Sequence, residues 1–366
     1  MQLRTLTLTG TDPARHGEQH GEAFRADIQA AYQLRLRLTL ERTDLGTVDH
    51  VLALARHHLP VLERFDAGLS AELHGIARGA GLTAEQLVVL NHYTDLRDLG
   101  LRDLRTLNAQ RGDPDGCSAW FVDAGGADGE RFLGQTWDMH GSATPYALLL
   151  TIPHERGTQV FFTITGCLGM TGMTSWGTAL TINNLTSTDA TVGVVWPAMV
   201  RRCVAQPTAR AALQVALDNP IGSGRHYIFA DEREAFAIET SGTRKKQVWS
   251  QTVADGGERS SASWFHTNHC LDDDIAAHSR VMPSSTTVAR LATLQHREDS
   301  GQRPTTPGGL YDAFKDVSLP LNPALPDDAA TCGALVMDLR RKEVLACAGL
   351  PADAAPLVVH LAPRPR

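Results

Sequence analysis

The chain has 366 residues, 42% hydrophobic and 20% charged, with a formal net charge of -7. That is enough for one large or two ordinary domains with buried cores. The mildly acidic balance, with no basic stripe, sets nucleic acid aside as a partner. No window supplies the roughly 18 apolar residues of a membrane span. Met1–His20 is polar within ten residues and carries Asp12, Arg15 and Glu18, where a signal peptide would be apolar. A cytoplasmic globular protein that does not enter a membrane is expected.

The first hundred residues read as helices. Asp12-Pro13 offers a cap and a helix-opening proline. Phe24, Ile28, Ala31, Leu34 and Leu38 then recur at helical spacing, predicting a helix over Pro13–Leu40. A second stripe runs through Val51, Leu54, Ala55, His58 and Leu62. A third covers Leu69–Ala80 and stops at Gly81, and Thr83 opens a short helix with Leu87 and Leu90. Arg111–Gly116 is a polar, turn-rich loop.

Short apolar runs with strand chemistry follow at Ala119–Val122, Arg131–Trp137, Tyr146–Ile152, Gln159–Thr165 and Thr178–Ile182. A helix is predicted over Pro197–Leu217, with strands at His226–Ala230, Ala235–Thr240 and Lys246–Val253. Thr286–His296 reads as a helix, Glu298–Gly309 as a surface loop or lid, and Ala334–Leu339 with Glu343–Ala348 as a hairpin. Blocks of helices and strands, with no internal repeat, predict an α+β fold with antiparallel sheets sandwiched by helices.

Six cysteines, at 117, 167, 203, 270, 332 and 347, form no C-x-x-C pair, which speaks against a zinc ribbon or a thioredoxin-like motif. Without an export signal they do not read as a disulfide framework either. Cys117 stands apart, because Gly116-Cys117 joins a loop to the first strand of the strand-rich region. A glycine leaves its carbonyl open to a nucleophile. The Cys117 thiolate could attack the Gly116 carbonyl, form a thioester and release the upstream segment on hydrolysis. Cys117 would then be a new N-terminus, with an α-amine of pKa ~7.7–8.0 beside its own thiol, a base and a nucleophile in one residue. A buried cysteine at a strand start is the alternative for the dipeptide alone.

The ordered set Asp115-Gly116-Cys117-Ser118, Gly134-Gln135-Thr136-Trp137-Asp138, Ile182-Asn183-Asn184-Leu185 and His266-Thr267-Asn268-His269 resembles the penicillin acyltransferase family. These are cysteine N-terminal-nucleophile (Ntn) enzymes. Glu72–Gly81 followed by Leu90-Asn91 is similar to that family's propeptide. Gly222-Ser223-Gly224, through Phe229-Ala230-Asp231 to Ile238-Glu239-Thr240-Ser241, continues the likeness. It spans roughly residues 12 to 351. The resemblance implies a four-layer αββα sandwich, self-cleavage between Gly116 and Cys117, and amide hydrolysis or acyl transfer. Residues 1–116 would be a helical N-terminal segment retained as an associated subunit, and 117–366 the catalytic region. The partners expected are this upstream segment and a small-molecule amide or acyl-thioester substrate, with no cofactor and no metal.

The same resemblance assigns roles. Asp138 matches the family's active-site aspartate, placed to hydrogen-bond the new α-ammonium; capping a turn at Met139-His140-Gly141 is its alternative. Asn268 matches the asparagine that donates to the oxyanion, a task suited to an amide that does not titrate. Asn184 would assist, although Asn183 and Asn184 also suit a turn. Ser241 fits a serine that assists cleavage, or a turn serine before Gly242. Arg290 matches an active-site arginine of the wider superfamily, against a surface helix arginine. Ser118 replaces the threonine of many relatives. Tyr93-Thr94-Asp95-Leu96 follows Leu90-Asn91-His92 where relatives tend to have a shorter Asn-Ala-Arg type run, and Ala254–Ser263 and Gln302–Gly309 follow no fixed pattern, so the substrate pockets do not carry over.

Two other classes remain. His266, His269 and Asp272 fall within a short run that could ligate a metal, although His at i and i+3 would face opposite sides if the strand of Trp264-Phe265 continued through them. A catalytically silent Ntn-fold binding protein is the non-enzymatic reading.

Overall fold

The computed structural model describes residues 1–101, 116–126, 129–253 and 260–361. The loop expected at Arg111–Gly116 lies, up to residue 115, outside them, as does most of Ala254–Ser263. One sheet has eight strands. In spatial order these are β1 (Arg4–Thr7), β4 (Ala147–His154), β5 (Gly157–Ile164), β6 (Thr171–Thr174), β7 (Ala179–Asn184), β8 (Arg225–Ala230), β9 (Glu234–Thr240) and β10 (Lys245–Thr252). The other has six: β11 (Ala262–His266), β2 (Ala119–Asp123), β3 (Arg131–His140), β12 (Ala329–Asp338), β13 (Glu343–Ala348) and β14 (Leu357–His360). Strand pairs are antiparallel except β1 with β4, which run parallel.

Period-two alternation divides the side chains of the six-stranded sheet between two cores. Ala119, Phe121, Leu133, Leu335 and Met337 join the core between the sheets. Trp120, Val122, Phe132, Ala334 and Val336 face the other way. They pack on Leu294 of α10 (Thr287–Asp299) and on Leu310 of α11 (Pro307–Ala313). Between the sheets the Trp137 and Phe162 rings meet edge to face at 6.1 Å, and the Gln135 side-chain oxygen accepts the Ile182 amide at 2.8 Å. On the far side of the eight-stranded sheet lie α7 (Trp196–Val204) and α8 (Ala209–Asp218). The α+β sandwich expected from the sequence is present.

The upstream helices are α1 (Pro13–Ala23), α2 (Arg25–Arg42), α3 (Val48–Phe65), α4 (Ala67–Ala80), α5 (Ala84–Asn91) and α6 (Tyr93–Gly100). Thr83 and Gln86 close a capping box on α5, and Gly81 ends α4 at φ 70°. Among the described residues no helix is long and apolar enough to cross a membrane.

Several elements differ from expectation. The first hundred residues are not all helical, because β1 adds a strand, too short for periodicity to register, on which Thr5 and Thr7 face solvent. The helix expected over Pro13–Leu40 breaks at Phe24. Its first half buries His16, Gly17, His20 and Gly21, a face without hydrophobic side chains. Pro197–Leu217 forms two helices, parted around Pro207, with Thr208 capping the second. α10 and α11 shorten the Glu298–Gly309 loop to residues 300–306. β6, β14 and α6 were not expected.

α1 and α4 touch backbone to backbone through Gly17, Gly21, Gly75 and Gly79. A Cβ on Gly17 would lie 2.0 Å from the Glu72 carbonyl oxygen, and one on Gly75 2.3 Å from that of Ala14. Gly17→Ala is therefore expected to force the helices apart and destabilise the protein by about 1–3 kcal/mol. Denaturant unfolding checks this, and an unchanged midpoint would refute the close approach.

Candidate active site

Gly116 and Cys117 lead into β2, and Gly116 forms an antiparallel bridge with Asp138 on β3. The Gly116 amide donates to the Asp138 carbonyl at 3.0 Å, and the Asp138 amide donates to the Gly116 carbonyl at 2.7 Å. A Cβ at 116 would sit 2.8 Å from both Cβ and Oδ2 of Asp138, so the close approach requires glycine. Cys117 is buried, at 6% exposure.

Both ends of the Cys117 backbone are held by side chains. Its amide donates to Asn268 Oδ1 at 2.7 Å. Its carbonyl accepts from Arg290 Nη1 at 2.9 Å and from Asn183 Nδ2 at 3.0 Å. Arg290 Nη1 also reaches Ser118 Oγ at 2.9 Å, and Nη2 reaches Asn268 Oδ1 at 2.8 Å. Arg290 is only 4% exposed, so it is not a surface helix arginine.

Donor and acceptor chemistry fixes both asparagines. A guanidinium and a backbone amide can only donate, so the Asn268 oxygen faces Arg290 and Cys117, and its nitrogen donates to the Asn184 carbonyl at 3.0 Å. Asn183 ends a similar chain. The Trp264 indole can only donate, and it does so to His226 Nε2 at 3.1 Å. His226 therefore carries its proton on Nδ1 and donates to Asn183 Oδ1 at 2.9 Å, which turns the Asn183 nitrogen to Cys117. Burial pushes the His226 pKa well below the usual histidine range, keeping the ring neutral as this chain requires.

Asp138 is fully buried between Gly116 and Arg290. Its Oδ1 accepts from Thr331 Oγ1 at 2.7 Å. Its Oδ2 lies 3.9 Å from Arg290 Nη1 and has no hydrogen-bond partner among the described residues. Burial raises its pKa above the ordinary carboxylate value, with Arg290 opposing.

Asn184 Oδ1 accepts from Arg225 Nη1 at 2.5 Å. Arg225 also donates to Thr94 Oγ1 at 2.7 Å and pairs with Asp95, both on α6. The Tyr93–Leu96 run thus reaches the site, and Arg225 itself carried no sequence signal. Cys117, Asn184, Thr94 and Arg225 line a cleft of about 40 Å³, otherwise walled mainly by Trp137, Met139, Met170, Ile182 and Trp196.

Ser241 lies apart from this group, in the β9–β10 turn. Its hydroxyl donates to Asp189 at 2.8 Å and accepts the Arg244 amide at 3.1 Å. The three residues considered for a metal do not converge. His266 meets Glu239 at 2.7 Å and the Thr267 carbonyl at 2.8 Å, His269 meets Thr287 at 2.9 Å, and Asp272 caps α9 (Asp273–Ala276). Among the described residues no group of three such side chains is placed to hold an ion.

A sandwich of two antiparallel-rich sheets between helices, with a cysteine at the start of an inner strand, defines an α+β protein of the Ntn type. The family model for acyl-coenzyme A:6-aminopenicillanic acid acyl-transferase matches residues 125–352, and the chain belongs to that family. Similar solved structures include penicillin V acylase from Agrobacterium tumefaciens, with 14% identity, 66% of this chain and 84% of that one covered, and a TM-score of 0.37. The Caenorhabditis elegans ortholog of N-acylethanolamine-hydrolyzing acid amidase has 13% identity, 60% and 92% coverage, and a TM-score of 0.39. A mutant of conjugated bile acid hydrolase from Clostridium perfringens has 8% identity, 66% and 92% coverage, and a TM-score of 0.43. No curated protein sequence matches.

Burial raises Asp95 from its ordinary 3.8 to about 6, with Arg225 opposing. Between those values the native carboxyl keeps a proton that the unfolded chain has released, so stability falls as pH rises through the window. Thermal unfolding from about pH 4 to about pH 7 should show wild type losing ground to Asp95→Asn up to about pH 6 and running parallel above it. Parallel curves throughout would contradict the raised value.

Proposed function

We propose that the protein is a self-processing cysteine amidohydrolase or acyltransferase whose nucleophile is Cys117, with 1–116 the upstream segment and 117–366 the catalytic region. The observation that carries this reading is the pairing of Gly116 with Asp138. The carbonyl on the N-terminal side of Cys117 accepts a backbone N–H at 2.7 Å, a donor already in place for the oxyanion that thiolate attack would create. Sγ adds to the Gly116 carbonyl carbon, and the C–N bond breaks as the nitrogen takes a proton. Water then cleaves the thioester, leaving Gly116 as a carboxylate and Cys117 with a free α-amine.

That amine keeps Asn268 Oδ1 as an acceptor and gains Asp138 Oδ2, which lies against Gly116 and has no hydrogen-bond partner among the described residues. With a pKa of ~7.7–8.0 it takes the thiol proton near neutral pH. The thiolate adds to an amide or thioester carbonyl while the Asn268 and Asn184 amides donate to the oxyanion; the carbonyl C–N or C–S bond then breaks as the α-ammonium returns its proton to the departing amine or thiol, and the acyl-enzyme passes its acyl group to water or an amine. Arg290 orients Asn268 and the nucleophile's backbone. Buried ion pairs hold the upstream segment in place: Glu72 to Arg201 at 2.7 and 2.9 Å, and Asp95 to Arg225.

Mass spectrometry of the incubated protein should find fragments 1–116 and 117–366, the second beginning with Cys117. A single intact mass would refute self-processing. Cys117→Ala should abolish both scission and turnover, and activity retained in this variant would remove the nucleophile. In processed enzyme Asn268→Ala should lower kcat about 10²–10³-fold, and a loss under about tenfold would exclude it as an oxyanion donor.

A further inference from the structure

α6 buries Thr94, Asp95, Arg97 and Asp98, a polar and charged face set against the catalytic region. Asp98 Oδ2 accepts the Ser187 amide at 3.1 Å and the Ser223 hydroxyl, and Arg97 donates to Thr186 Oγ1 at 3.3 Å. Thr186 and Ser187 follow Asn184 closely, and Ser223 shortly precedes Arg225. The upstream helix therefore grips the chain on the far side of both residues.

Asn184 and Arg225 stand opposite each other in the β7–β8 ladder, so their side chains share a face. Arg225 is 2% exposed. Its Nη1 donates to Asn184 Oδ1 at 2.5 Å and to the Gly224 carbonyl at 2.6 Å. Its Nη2 donates to Thr94 Oγ1 at 2.7 Å and to Asp95 Oδ2. The Thr94 hydroxyl, accepting from Arg225, gives its own proton to Asp95 Oδ2 at 3.2 Å. Each Nη has two hydrogens and two acceptors, so neither is left for a substrate. Arg225 lines the Cys117 cleft as a support.

The consequence falls on Asn184. An amide whose oxygen is held by a guanidinium cannot flip, because the flip would set N–H against N–H. Nδ2 is then the end that can donate to an oxyanion. A guanidinium is planar, so fixing its Nη2 edge on Asp95 also fixes the Nη1 edge that faces Asn184. Burying two charges contributes little net stability, since desolvation offsets their attraction. What the pair supplies is direction.

We propose that Asp95, on the upstream segment, is a positioning residue for the reaction at Cys117. Through Arg225 it sets the direction of the Asn184 amide, so the oxyanion donors are complete only while residues 1–116 stay docked after scission. This rests on the Cys117 reading and deepens it.

The test is a double-mutant cycle on enzyme shown by mass to be two fragments, with the p-nitroanilides of acetic to octanoic acid as substrates. Asp95→Asn should lower kcat about tenfold to a hundredfold and leave KM within about threefold, because the oxyanion forms only beyond the ground state. In an Asn184→Ala background the same substitution should cost less than about twofold, since Asp95 acts through Asn184. A merely structural role would cost the same in both backgrounds. Arg225→Lys keeps the charge and loses the planar fork; it should repeat both results and serves if Asp95→Asn does not process. Equal losses in both backgrounds, a raised KM with kcat unchanged, or no loss in either variant would overturn the proposal. Wild type inert on every anilide, or turnover surviving in Cys117→Ala, would bring down the Cys117 reading and this proposal with it.

Discussion

The site depends on one asymmetry of hydrogen bonding: a guanidinium donates and never accepts. Arg290, buried on α10, presents donors to the Cys117 carbonyl, the Ser118 hydroxyl and the Asn268 oxygen at 2.8–2.9 Å. The Asn268 amide consequently has a single orientation, with its oxygen toward the Cys117 nitrogen. The indole of Trp264 imposes the same directionality on His226 and Asn183 from the other side. Cys117 is thus pinned at its nitrogen and its carbonyl by groups that cannot reverse roles.

This arrangement accounts for the layering around it. Cys117 precedes a strand buried on both faces, with the eight-stranded sheet on one side and α10 with α11 on the other. Arg290 reaches the cysteine from the helical side, while Asn183 and Asn184 come from the facing sheet. Each layer around the strand therefore contributes a group, and the fold sets the distances that a loop-built site would leave open.

Much of this was legible in the residues. The Gly116-Cys117 junction, Asp138, Asn268 and Arg290 stand in ordered motifs on or beside regular elements, and the structure brings them together. Strand periodicity located most of both sheets. It named Asn184 and passed over Asn183, whose amide is the one that reaches the Cys117 carbonyl, because alternation sends neighbours to opposite faces without saying which face is which. It missed Arg225, whose partners Thr94 and Asp95 lie about 130 positions away. It also misjudged the α1 surface, where glycines and histidines are buried where a hydrophobic stripe was sought. Ser241 fitted a motif, yet its hydroxyl is engaged in the turn with Asp189. Contacts between distant segments are set by packing, and one chain read alone carries no trace of them.

β1 gives the N-terminus a meaning that its length conceals. These four residues run parallel to β4 and close that edge of the eight-stranded sheet. A break at position 116 would leave the amino-terminal piece threaded into the same main-chain ladder as the carboxyl-terminal piece. Pulling the two apart would bare the β4 backbone along an open border prone to self-association. Scission there would make two polypeptides and still one folded body, its halves bound for as long as the sheet lasts.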